Sequence, residues 1–141
     1  MLRFLTLIAA LLCFTSLAAH AASDSVWAVN VVGLKGEPLG TLTLELTDES
    51  TSTCMAGNWK KARLVESSFP SLARLFEEKG YFPTYQKDGP AALTIQLYPA
   101  TVCDAYLFLG GKFTGREAEG DYFTFNMHGG DNLGTFTAKR R

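Results

Sequence analysis

Apolar and polar residues alternate with a period of two along most of the chain, the spacing that sends successive side chains to opposite faces of a β-strand. Between Gly40 and Thr47, Leu42, Leu44 and Leu46 share one face while Thr41, Thr43, Glu45 and Thr47 share the other. That is the signature of a strand with one wet face. Ala92–Tyr98 repeats it, with Leu93, Ile95 and Leu97 against Thr94, Gln96 and Tyr98. The same pattern predicts strands at Val26–Val32, Trp59–Val65, Tyr106–Phe113, Asp121–Met127 and Gly134–Lys139. Tyr81–Gln86 is an eighth candidate, interrupted by Pro83, which removes a ladder donor.

One segment departs from period two. Phe69–Lys79 places Leu72, Leu75 and Phe76 at helical spacing, with Ser67 or Ser68 as N-cap, Pro70 in the first turn and Gly80 as terminator. A short amphipathic helix is expected there, packed as a lid on the sheet. Turns or bulges are expected at Lys35-Gly36-Glu37-Pro38, Lys87-Asp88-Gly89-Pro90, Gly110-Gly111, Gly115, Gly120 and His128-Gly129-Gly130-Asp131.

Seven or eight short strands joined by such turns predict a mostly β fold, a small antiparallel barrel with one short helix. A β-sandwich is the alternative. The barrel is preferred because closure removes exposed edges and the glycine-rich bends suit strongly coiled strands. Outward positions carry Thr, Glu, Gln and Lys where a lipid-facing band would be apolar, which argues against an outer-membrane barrel.

Two internal echoes accompany the strand pattern. Lys35-Gly36-Glu37-Pro38 leads into Leu42–Leu46 and then Cys54, as Lys87-Asp88-Gly89-Pro90 leads into Leu93–Leu97 and then Cys103. Gly36-Glu37-Pro38-Leu39-Gly40-Thr41-Leu42-Thr43 also matches Gly130-Asp131-Asn132-Leu133-Gly134-Thr135-Phe136-Thr137 in outline.

The N-terminus changes the picture. Arg3 precedes the mostly apolar run Phe4–Leu17, and Ala19-His20-Ala21 fits the small-x-small rule for cleavage. Residues 1–21 therefore read as a cleaved signal peptide, and 22–141 as a single antiparallel β domain, periplasmic or secreted. Leu12 before Cys13 does not fit a lipoprotein signal. Asn30, Asn58, Asn126 and Asn132 all lack a Ser or Thr two positions on, so no glycosylation sequon occurs, which leans toward a bacterial envelope.

Cleavage removes Cys13 and leaves Cys54 and Cys103, an even pair in an oxidising compartment, for which a disulfide is the default. It also removes His20, so His128 is the one remaining histidine. Two cysteines and one histidine offer no structural zinc set, and no cofactor is expected. Only Arg3 is lost among the basic residues, leaving twelve against fourteen acidic ones, a balance unlike that of a nucleic-acid binder.

Gly57-Asn58-Trp59 resembles the G-x-W element of lipocalins and related calycin barrels, in which a tryptophan plugs one end of the barrel. The resemblance spans three residues, and here a hairpin and Cys54 precede the triplet, whereas the family carries it on the first strand. It implies calycin-like topology, with Arg140 or Arg141 in the place of the basic side chain that packs on the tryptophan, and it assigns no ligand.

Few residues invite chemistry. His128 with Asp131 is a candidate base and orienting group, and Asp48-Glu49, Glu77-Glu78 and Glu117 with Glu119 are candidate carboxylate pairs, but turns and solvated faces account for all of them. Lys60-Lys61-Ala62-Arg63 and the basic C-terminus could form a patch for an anionic partner. Tyr81, Phe82, Tyr85, Tyr106, Phe108, Phe113, Tyr122, Phe123, Phe125 and Phe136 could fill a core or line a cavity. The expectation is a binding module without catalytic residues, taking an apolar small molecule or an envelope component. The alternative is an inhibitor-type interaction factor acting through the acidic Thr47–Ser52 segment.

Overall fold

The computed structural model describes residues 26–70, 72, 80–99 and 101–141. Eight strands follow one another: β1 (Val26–Gly33), β2 (Pro38–Ser50), β3 (Lys60–Ser67), β4 (Thr84–Lys87), β5 (Ala92–Gln96), β6 (Ala105–Phe113), β7 (Glu117–Asn126) and β8 (Gly129–Arg140). Each pairs antiparallel with the next, and β8 pairs back with β1 from Trp27↔Arg140 to Gly33↔Gly134. The result is a closed up-and-down barrel and not a sandwich. The stretch read as a signal peptide lies outside the described residues.

The period-two pattern fixes which face is inside. Trp27, Val29 and Val31 of β1, Leu42, Leu44 and Leu46 of β2, Tyr85 of β4, Leu93 and Ile95 of β5, Leu107 and Leu109 of β6, and Phe136 and Ala138 of β8 meet in one cluster. At its waist Val29, Leu44, Ile95, Leu109 and Phe136 are 0–1% exposed, so no void large enough for water touches them. An eight-stranded barrel is narrow enough to be filled by its own side chains, and this one is filled at that level.

Both ends are stopped by aromatic pairs. Trp27 lies 5.3 Å from Phe113, centroid to centroid, at the end where β1 begins. At the other end Phe69 meets Tyr122 edge-on at 5.8 Å, and Leu72 joins the same cluster. Of the helix expected over Phe69–Lys79, Pro70 and Leu72 are helical and Phe69 is not, and the remainder at 71 and 73–79 lies outside the described residues, among which no helix is established.

Three expected turn sites are strand instead. Gly129, Gly130 and Asp131 open β8, and the β7–β8 turn is only Met127-His128. Gly110-Gly111 and Gly120 lie inside β6 and β7, where Gly111 faces Gly120 across the ladder. A Cβ on Gly111 would overlap the Glu119 carbonyl oxygen and come within 2.6 Å of Gly120 Cα. The second echo places Gly40 and Gly134 on the two strands flanking β1, opposite Val31 and Gly33 respectively, with φ of 155° and 153°. Register shifts occur close by, between Val31 and Val32 and between Tyr122 and Phe123.

Two predictions follow from this packing. Gly111→Ala should destabilise the fold by about 1–3 kcal/mol, the usual cost of overpacking, measured as a lower urea midpoint; an unchanged midpoint would mean the β6–β7 crossing is looser than described. The second concerns alkaline pH. Burial raises the phenol of Tyr81 far above its ordinary range, and those of Tyr85 and Tyr122 more modestly. Neutral phenols are thus favoured in the fold, so their contribution is complete below the unfolded value of about 10 and is lost as pH rises above it. Tyr81, whose hydroxyl donates to the Leu97 carbonyl, should dominate that loss. Tyr81→Phe should flatten the alkaline fall in denaturation midpoint, and an equally steep fall would refute the assignment.

Candidate functional site

The strands differ in length, and the outer surface reflects it. β4 has four residues and β5 five, while β2 has thirteen and β8 twelve. Over the short side lies the segment joining β2 to β3, residues 51–59. Its neck is closed by the Thr51 N–H donating to the Trp59 carbonyl at 3.0 Å. Its middle is tied by the Cys54–Cys103 disulfide, with Cα atoms 5.2 Å apart across 49 residues of sequence. The segment is a strap: it is fixed at its neck on β2–β3 and by its cysteine to the loop before β6.

Beneath and beside the strap is a second apolar cluster, outside the barrel. Trp59, Tyr106 and Phe108 are buried there, with Met55 and Phe123 packed against them. Tyr106 and Phe108 stack at 5.7 Å with rings 9° apart, and Phe123 lies 5.3 Å from Phe108. The Tyr106 hydroxyl donates to the Cys103 carbonyl at 2.6 Å, and the Trp59 indole N–H donates to the Ala56 carbonyl at 3.3 Å. Aromatic rings carry large apolar surface with a polar handle, and here each handle is spent on strap or loop backbone. The cluster continues outward through Phe125, 6.4 Å from Tyr106. Phe125 and Met127 are 47% and 80% exposed, at the end of β7 and in the turn that follows.

Trp59 therefore does not plug the barrel, because it faces out of it. The plugging position belongs to Trp27 on the first strand, and Arg140 on the last strand is its register partner. The sequence triplet Gly57-Asn58-Trp59 pointed to the wrong tryptophan because strand order, not the triplet, decides which ring reaches the barrel mouth.

The basic run is not a free patch. Lys60 bonds Asp48 at 2.8 Å, Lys61 pairs with Glu49 and Arg63 with Glu45. The β2–β3 register sets these pairs, since Glu45 faces Arg63 directly. The hydrogen bond from Lys60, followed by its charge, holds the Asp48 carboxyl below its ordinary range, and Asp48 in turn holds the Lys60 ammonium above its own. The suspected inhibitory segment Thr47–Ser52 is mostly the end of β2, engaged in the same pairs. Beside it a cleft of about 320 Å³ is lined by Thr47, Glu49, Lys61, Arg63, Tyr81 and Phe82, among others.

His128 and Asp131 are both exposed, and no hydrogen bond or ion pair joins them. The His128 backbone N–H donates to the Asn126 side chain at 2.8 Å, a turn contact. Glu117 pairs with Lys139 at 3.2 Å, Glu119 is exposed on β7, and Glu77-Glu78 lie outside the described residues. Among the described residues no group of three His, Cys, Asp or Glu is placed to hold a metal ion, and no helix is long and apolar enough to cross a membrane.

Sequence reasoning singled out Cys54, Cys103, Trp59, Tyr106, Phe108 and Phe123, and the strap brings them together, whereas Phe113 and Tyr122 pack at the barrel ends. It missed Met55 and Met127, and the buried polar pair Thr84 and Gln96. An available cue was the apolar character of both faces at Tyr106–Leu109, which requires cover on the outer side. Compared with family models, curated proteins and solved structures, the chain matches none.

Replacing Cys54 and Cys103 by Ser should cost about 4 kcal/mol in the chain-entropy account and should free the strap before the barrel unfolds. In a Trp27→Phe background, Trp59 alone reports: its emission should shift to the red at denaturant concentrations where far-ultraviolet dichroism is still native. Coincident transitions would contradict a separately held strap.

Proposed function

We propose that the protein is an exported binding module whose working surface is the strapped outer face, not the barrel interior. The carrying observation is the continuity between the buried cluster of Trp59, Tyr106 and Phe108 and the half-exposed ring of Phe125, two residues before the exposed Met127. Exposed apolar residues scattered singly are ordinary, whereas contiguous ones mark contact surfaces. Leu34 and Val65 are exposed too, but unlike Phe125 neither has a ring contact to a buried aromatic residue.

Rigid presentation favours this reading. A surface already ordered by strands and a disulfide loses little conformational freedom on binding. The filled waist of the barrel argues for an envelope protein or polymer as partner over an apolar molecule carried inside. Export is supported by the sequence of residues 1–21 and is compatible with the disulfide, which persists in oxidising compartments.

A photoreactive amino acid placed at Phe125 or Met127 in the producing cells should give a discrete adduct, while the same probe at Leu34 should give none. Native mass spectrometry of the protein purified from those cells should return the mass of the processed polypeptide alone. A co-purifying apolar ligand would restore the interior as the working site and overturn this reading.

A further inference from the structure

Four buried polar atoms without a partner fall on three neighbouring residues of the outer face: Thr84 Oγ1, Gln86 Oε1, and both Oε1 and Nε2 of Gln96. Thr84 and Gln96 face each other across β4 and β5 and are 0% exposed. Gln96 also faces Phe108, a member of the outer aromatic cluster. The strap lies against the same place, since a Cβ on Gly57 would overlap Gln86 Oε1 and come within 3.1 Å of Trp59 Nε1.

Leaving a buried carboxamide wholly unpaired is among the costlier things a small domain can do, and natural folds avoid it unless something completes the bonding. We propose that the outer face of β4–β5 beneath the strap is a binding site for a small neutral molecule carrying N–H and C=O on one edge, such as a lactam or a pyrimidine base.

The chemistry follows from the donor set. A carboxamide offers one donor and one acceptor side by side, so a guest with a cis-amide edge satisfies both atoms of Gln96 at once. Thr84, directly opposite, adds a hydroxyl that donates or accepts. A charged guest is disfavoured because the charged groups nearest in register are already engaged: Lys61, opposite Thr84, pairs with Glu49, and Asp88 accepts from Gln86 Nε2 at 3.2 Å. Phe108 and Trp59 supply ring surface against which a flat amide packs favourably. Ala56, Gly57 and Asn58 of the strap are exposed, so a guest enters by displacing that stretch without breaking the disulfide. The site uses Thr84 and Gln96 and does not rest on the contact surface of Phe125 and Met127.

The test uses the oxidised chain beginning at Ala22, labelled with 15N, and titrates it with 2-piperidone and with uracil. N-methylacetamide, whose N–H and C=O point opposite ways, is the control. Either cis-amide probe should shift the Gln96 side-chain NH2 resonances and the Trp59 indole N–H saturably, and N-methylacetamide should not. Gln96→Leu should keep the fold, with a denaturation midpoint equal to or above that of the parent, and lose the saturable shift of the Trp59 indole N–H. Thr84→Val should weaken binding by about tenfold, the worth of one hydrogen bond, and serves if Gln96→Leu fails to fold. No saturable shift in the parent, an undiminished shift in both variants, or an equal response to N-methylacetamide would overturn the proposal. So would a crystal structure grown with the probe showing only ordered water at Gln96.

Discussion

The pairing of β8 with β1 is the constraint on which the rest of the molecule depends. From Trp27↔Arg140 to Gly33↔Gly134 it converts an eight-stranded meander into a closed surface. Closure leaves the sheet without a first or last strand, although β3 meets β4 only at Lys60 and Lys61, and it commits one face of each strand to the interior. With that face filled by residues such as Val29, Leu44, Leu109 and Phe136, the surface open to other molecules is the outer face and the loops. Among the described residues most of that outer face is polar, and the aromatic sector of Trp59, Tyr106 and Phe108 stands out against it.

That sector exists because the barrel is uneven. β4 and β5 are too short to cover themselves, and β6 presents Tyr106 and Phe108 outward as well as Leu107 and Leu109 inward. A strand apolar on both faces needs a second layer. The strap supplies it, and the Cys54–Cys103 disulfide holds the strap in place where a nine-residue connection with few backbone hydrogen bonds would otherwise drift. Two cores with different holders thus share one small domain. The inner one depends on strand closure and the outer one on a covalent tie.

Much of this was legible in the sequence. Leu42, Leu44 and Leu46 against Thr41, Thr43 and Glu45 located a strand and its inner face together, because a period of two leaves no other assignment. The eighth strand was found despite Pro83, which ends up just before β4 and accepts from the Ala62 N–H at 2.8 Å. The disulfide followed from subtraction, with Cys13 read as part of an N-terminal export signal. The glycine-rich stretch at Gly129-Gly130 was misread as a turn because local turn chemistry was outweighed by ladder pairing with Phe125 and Asn126. Trp59 was misplaced for a related reason: a three-residue likeness says nothing about which side of a strand faces in. The ion pairs that neutralise Lys60, Lys61 and Arg63 were invisible, since they depend on the β2–β3 register and its bulges. Thr84 and Gln96 could not be found at all from sequence, where they read as ordinary polar positions on a wet face.

The claim that matters most is the separate tethering of the two cores, and native-state hydrogen exchange read by mass spectrometry, with the disulfide intact and then reduced, tests it most directly. The account predicts that reduction accelerates exchange in residues 51–59 and in the adjoining start of β6, while the amides that join β1 to β8 keep their protection. Uniform loss of protection around the barrel, or no change in the strap, would contradict it.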